Sequence, residues 1–262
     1  MMTQRRINSL IKQLFAILFL VFMLLPFFLV LINALKPRIE IIKNPMALPH
    51  ALSLANFTKA WVTMKFGTVL MNTAYITAFS QVLLIVFGAM LSYMLVRWDF
   101  KANKIIFTVL ICAMIIPFQS LMIPFVSIFG KLGLMNSRTA LIFFYMGFGK
   151  ISREMEEAAL IDGCSHFYCF WKIVFPNLKP ITTTILIVNI LWIWNDFLLP
   201  SLVLIKDKNR TIPLSTFYFF GEYTAELGLA MAALILSVLP VVVIYLFLQK
   251  QIVTGVMDGA IK

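Results

Sequence analysis

Between Leu14 and Leu35 the chain runs 22 residues without one charged side chain. At 1.5 Å of rise per residue, a helix of that length crosses the ~30 Å hydrocarbon core of a bilayer. Val69 to Val96, Ile105 to Phe129, Ile181 to Ile205 and Leu227 to Leu248 are also long enough, and Asp196 is the one residue in all five runs that is charged at neutral pH. An open sheet cannot lie in lipid because its edge groups find no partner there, so these runs are read as helices. The first run has no small-residue cleavage site after a short apolar core and reads as a retained helix, with Pro26 as a kink. Thr139 to Gly149 is apolar but only eleven residues long, about 16 Å as a helix. The sequence thus predicts an all-α membrane protein, a six-helix bundle whose fourth span is unusually short. Its parts are an N-terminal tail (1–13), a first transmembrane helix (14–35), a loop (36–68), a core (69–248) interrupted by a polar segment (150–180), and a C-terminal tail (249–262).

Composition agrees. Charged residues make up 13% of the chain, against about 25% in soluble domains. A net charge of +11 would suggest nucleic acid in a soluble protein; in a membrane protein it sets topology and interfacial anchoring, and no nucleic-acid partner is expected. Six crossings leave both termini on one side, which then carries twelve Lys and Arg against ten on the other. That bias is too weak to orient the chain. Cys112 lies in an apolar run, while Cys164 and Cys169 lie in the polar segment, and three such cysteines make no disulfide framework. Cys164, His166 and Cys169 lack a fourth ligand and a zinc spacing, so packing is the reading there and no metal is expected.

The polar segment carries the most information about function. Ser152 can cap a helix from about Arg153 to Asp162, with Glu154, Glu156 and Glu157 favouring its N-terminal end. Gly163 suits the left-handed C-cap. Ser165 can cap a second helix with Phe167, Phe170, Trp171 and Val174 on one face, Pro176 ends it, and Pro180 opens the next span. A helix–glycine–helix unit closed by prolines is the form of a docking surface. In the third span Pro117 and Pro124 fall seven residues apart on one face; a helix shaped around a cavity and a simple packing kink both fit. Asp196 is costly within a membrane and implies function or a specific partner, with a structural hydrogen bond beside Asn195 as the plainer alternative. Asn195, Asp196, Gln119, Asn189 and Trp194 are the candidates for a substrate path, with Gln81, Ser120 and Trp192 as further polar or aromatic groups.

Glu157-Ala158-Ala159, Asp162-Gly163, Phe170, Ile173, Pro176 and Pro180 resemble the cytoplasmic "EAA" coupling loop of ABC importer permeases, with Cys164 where the common pattern has alanine. Lys36, Asn72, Arg97, Pro117, Pro124, Leu132-Gly133-Leu134, Trp194-Asn195-Asp196-Phe197 and the Gly255 to Ala260 ending extend the likeness along the chain. Together they are similar to the carbohydrate permeases of the maltose-type smaller membrane subunit family. The resemblance implies an inner-membrane, multi-pass permease with both termini cytoplasmic and segment 36–68 extracytoplasmic. Glu157, Ala158, Ala159, Asp162, Gly163, Phe170, Ile173 and Pro176 would then engage a cytoplasmic ATPase subunit, and Gln249, Gly255 and Gly259 would be tail contacts to that motor. The implied partners are a second permease subunit in a heterodimer, the ATPase subunits, an extracytoplasmic solute-binding protein, a sugar substrate and membrane lipid. No cofactor is implied, and the chain has no Gly-x-x-x-x-Gly-Lys-Ser/Thr loop with which to hydrolyse ATP itself. Family members continue the fourth helix by about a dozen residues, as a ~30 Å core requires. An internally deleted, poorly functional copy is therefore the second reading. An ion-coupled carrier would want pseudo-repeats or a chain of buried ionisable groups, and only Asp196 is available. A membrane enzyme would want a nucleophile–base pair or metal spacing, and the sequence has neither.

Overall fold

A computed structural model describes residues 2–97, 100–148, 168, 170–222 and 226–260. Every regular element among them is helical. The chain divides into two compact units, Met1–Phe66 with Thr216–Leu239, and Gly67–Ser215 with Pro240–Lys262.

In the first unit, α1 (Met2–Ala34) passes through Pro26 without ending. Its side chains from Leu10 to Phe28 are exposed almost all the way round, the surface expected where lipid rather than protein is the neighbour. The helix stops at a polar knot. Lys36 is 1% exposed, and its ammonium donates to Asn33 Oδ1 at 3.1 Å and to the carbonyls of Asn44 and Pro45, each at 3.3 Å. Three acceptors match three N–H donors, which is what keeps a buried ammonium affordable. Asn33 Nδ2 donates to the Leu29 and Pro45 carbonyls. Asn56 Nδ2 donates to the carbonyls of Ala34 and Lys36, both at 2.9 Å, satisfying acceptors left over at the end of α1. The prolines before Asn56 argue for an irregular loop, but a six-residue helix, α2 (Arg38–Lys43), forms between Pro37 and Pro45. Pro37 stands just before its first residue, where no N–H is needed. Next comes α3 (Ala55–Thr63).

In the second unit, α4 (Phe66–Arg97) is followed by α5 (Lys101–Ile115) and α6 (Phe118–Lys131). The sequence reads these last two as one kinked span, whereas the helix breaks outright at Ile116–Pro117. Ile116 is extended, with ψ 120, the conformation that the proline ring favours for the residue before it. Pro124 stays inside α6. Gly133, at φ 69, ends that helix: Leu134 N–H reaches the Phe129 carbonyl and Gly133 N–H the Gly130 carbonyl, a Schellman cap. Then follow α7 (Arg138–Phe148), a π-helical turn (Phe170–Val174), a short helical turn (Phe175–Asn177), α8 (Lys179–Asn195), α9 (Leu198–Val203), α10 (Ile212–Glu222) and α11 (Leu227–Ala260), with α10 from Thr216 and α11 as far as Leu239 belonging to the first unit. Within that first unit Gly228 packs on the polar knot: a Cβ there would lie 2.7 Å from Asn56 Nδ2 and 3.0 Å from the Lys36 carbonyl.

Among the described residues three helical stretches are long and apolar enough to cross a membrane, Ser9–Ala34, Phe66–Leu95 and Leu227–Gln249. A fourth is added if Phe170–Asn177 and Thr182–Asn195 count as one bent span. The third and fourth expected spans fall short for local reasons. Pro117 divides one into pieces of 15 and 14 residues, and the described part of α7 has 11. Helix α11 continues through Gln249, Gly255 and Gly259 of the expected C-terminal tail.

Candidate functional site

Of the expected coupling residues, Glu157, Ala158, Ala159, Asp162 and Gly163 lie outside the described residues, as do Ser152, Cys164, Ser165, His166 and Cys169. Phe170, Ile173 and Pro176 are described. Phe170 and Val174 are buried together with Leu178, and they pack with Leu84, Ala89, Tyr93 and Ile185. Trp171, Ile173 and Phe175 line the edge of that cluster. The Phe170 ring lies 5.6 Å from Tyr93 and 5.0 Å from Trp171. The apolar face expected from Phe170, Trp171 and Val174 therefore seats the end of the polar segment on the C-terminal half of α4 and the first turns of α8. The break falls at Leu178 rather than at Pro176, and Pro180 occupies the first turn of α8, where its missing N–H costs nothing.

The other end of this unit is held by hydrogen bonds that sequence reasoning missed. Asn72 Nδ2 donates to the carbonyls of Lys208 and Arg210 at 2.9 and 3.0 Å, and Asn72 Oδ1 accepts from Arg138 at 2.6 Å. Thr73 Oγ1 accepts the Ile212 N–H at 2.9 Å. The Arg138 guanidinium also lies over the Tyr75 ring at 5.6 Å. Asn136 takes a left-handed φ of 60, which asparagine tolerates better than most residues. Its N–H donates to the Val203 carbonyl, its Oδ1 accepts from Ile205 and Lys206, and its carbonyl accepts from Asn209. The N-terminal end of α4, the turn before α7 and the segment 203–212 thus meet at one end of the unit, as expected if all three lie on one face of the membrane.

The substrate-path candidates separate by environment. Gln119 and Asn195 are exposed. Asn189 and Trp194 face the chain's own interior, 4% and 7% exposed. Asn195 Nδ2 donates to the Leu191 carbonyl, not to Asp196. Asp196 is half-buried between α8 and α9 with both oxygens engaged: Oδ2 accepts from the Tyr145 hydroxyl at 2.8 Å and Oδ1 from the Leu198 N–H at 2.9 Å. Tyr145 is fully buried and meets the Trp192 ring edge-on at 5.7 Å. On α4, Thr77 Oγ1, Ser80 Oγ and both amide atoms of Gln81 are buried and find no partner among the described residues. Gln249 Nε2 donates to the Leu246 carbonyl within α11. Among the described residues no group of three His, Cys, Asp or Glu side chains is placed to hold a metal ion.

Comparison with known proteins places this arrangement. A probable starch degradation products transport system permease protein, AmyC of Thermoanaerobacterium thermosulfurigenes, is 42% identical over 250 residues, covering 90% of this chain and 91% of that protein. The melibiose/raffinose/stachyose import permease protein MelC of Bacillus subtilis is 37% identical, covering 91% of each. The multiple sugar-binding transport system permease protein MsmG of Streptococcus mutans is 33% identical, covering 92% of this chain and 93% of the relative. The family described as "Binding-protein-dependent transport system inner membrane component" matches residues 84–257, a stretch running from the middle of α4 through the Phe170 cluster, the Asp196 site and most of α11. The chain is a multi-pass membrane protein and belongs to the binding-protein-dependent transport system inner membrane component family.

Proposed function

We propose that the chain is the membrane-spanning permease subunit of an ATP-driven, binding-protein-dependent sugar importer. It forms half of the translocation path, with a second permease subunit as the other half. An extracytoplasmic solute-binding protein delivers the sugar, and cytoplasmic ATPase subunits drive the cycle through residues 152–180. Both termini lie in the cytoplasm of a bacterial cell, whose inner membrane holds the complex. The observation that carries this reading is the family match over residues 84–257 together with relatives named for oligosaccharides and starch products. An oligosaccharide is accordingly the substrate class. The internally deleted copy has less support, because the match to AmyC runs over nine-tenths of both chains.

In this reading Glu157, Ala158, Ala159, Asp162 and Gly163 sit in a cleft of the ATPase, and Phe170, Ile173 and Pro176 carry the pull into the bundle. The cluster around Phe170 supports that role, because a close-packed apolar contact passes displacement on rather than absorbing it. Gln119 and Asn195 are the exposed polar groups that face a sugar; Asn189 and Trp194 reach it only when their helices part. Gln249, Gly255 and Gly259 carry the end of α11 to the ATPase dimer. The test is Gly163→Leu in the complete complex. A side chain at a left-handed C-cap costs about 1 kcal/mol and displaces whatever packs on it. Uptake of raffinose or maltotriose should fall more than ten-fold while the permease stays in the membrane and the ATPase subunits still hydrolyse ATP. Undiminished uptake by this variant, or a wild-type complex that never co-purifies with an ATPase, would remove the coupling role.

A further inference from the structure

We propose that Tyr145 and Asp196 are a positioning pair: their hydrogen bond ties the last described turn of α7 to the far end of α8, so that movement delivered to the start of α8 is passed on to α7 and α9. This rests on the coupling role proposed above. The 17 residues of α8 make a rod about 26 Å long. Its near end is set in the cluster of Phe170, Val174, Leu178 and Ile185. Its far end stops at Asp196, a residue badly placed by itself, since a carboxylate at a helix C-terminus faces the negative end of the helix dipole. Two contacts make the position tenable. Oδ1 accepts the Leu198 N–H at the start of α9, and Oδ2 accepts the Tyr145 hydroxyl from α7.

Each carboxylate oxygen is thus directed at a different helix, and the turn at Asp196–Phe197 is where three helices meet. Tyr145 has nowhere else to turn: its ring is fully buried, with the edge of Trp192 against it. Both carboxylate oxygens are oriented by these helix contacts, whereas the adjacent Asn195 is the exposed polar side chain. The pair therefore acts on the sugar through the helices it holds, without touching it.

The test compares Tyr145→Phe, Asp196→Ala and the double variant in the complete complex of permeases, ATPase and binding protein. Uptake of labelled raffinose and maltotriose is measured beside ATP hydrolysis, with the melting temperature of each purified complex. Sugar moved per ATP should fall at least five-fold in both single variants, KM for the sugar should stay unchanged, and the double variant should be no worse than Asp196→Ala. Melting temperatures should likewise fail to add, the signature of two groups that act as one. A raised KM in Asp196→Ala with normal coupling in Tyr145→Phe would overturn the proposal and make Asp196 a sugar contact. Effects that multiply would also overturn it. If Asp196→Ala does not assemble, Tyr145→Phe decides alone, because it removes one oxygen and keeps the ring. A wild-type complex that takes up neither sugar counts against the substrate reading only, and the melting-temperature cycle still judges the pair.

Discussion

At Asn72 one side-chain amide serves three partners, two carbonyls of the 208–210 segment and the Arg138 guanidinium. Asn72→Ala would remove all three hydrogen bonds of a buried amide whose partners Lys208 and Arg138 are themselves exposed. With about 1 kcal/mol for an ordinary hydrogen bond, and water able to replace part of what Arg138 loses, the loss should be about 2 kcal/mol. Asn72→Asp keeps an acceptor for Arg138 but sets a carboxylate against two carbonyls, and should fall between wild type and alanine. Thermal denaturation of the purified complex measures both, and an alanine variant as stable as wild type would contradict the clamp. Asn72 stands out in the sequence as a landmark at the opening of a span, yet its partners lie 136 and 138 residues downstream and no local pattern points to them. Asn136 sits in a turn where a polar residue is unremarkable, so its four hydrogen bonds are invisible until the turn's left-handed φ is seen. Tyr145 is harder still: a lone hydroxyl in an apolar run has no periodic signature. Asp196 attracted notice because a carboxylate in a span needs a reason, but its partner could not be read from Asn195 beside it.

Helices are legible where length and hydrophobicity decide them and illegible where prolines compete. For α1, α4 and α11 the apolar runs give the elements, with ends shifted where polar residues prolong the helix beyond the run. Pro117 and Pro124 look alike in the sequence; one breaks a helix and the other is absorbed, because the surroundings decide whether the freed carbonyl finds a partner. The amphipathic face through Phe170 and Val174 was readable, and its docking partner, the C-terminal half of α4, was not. Phe170→Ala should lower stability by about 3–5 kcal/mol through the lost ring contacts and the cavity left behind, while Phe170→Leu should cost a fraction of that. Melting of the complex distinguishes them. Equal, small losses in both would mean that Phe170 is not the anchor of the cluster.

For the whole molecule the expected topology places residues 150–180 in the cytoplasm. In a chain whose Cys112 and Cys169 are replaced by alanine, a membrane-impermeant maleimide should leave Cys164 unmodified in intact cells and label it after permeabilisation. Labelling in intact cells would reverse the orientation and end the coupling role. The Asn72 clamp also bears on how the protein is made. Asn72 emerges from the ribosome 136 residues ahead of Lys208, a delay on the order of ten seconds at ~5–20 residues per second. Through most of that interval the amide has no carbonyl to hold, and Arg138, once made, has only Asn72 among the clamp's members. This end of the protein consequently sets only once Lys208 and Arg210 are made, and an insertion machinery that released α4 to lipid too soon would leave an amide and a guanidinium without those partners.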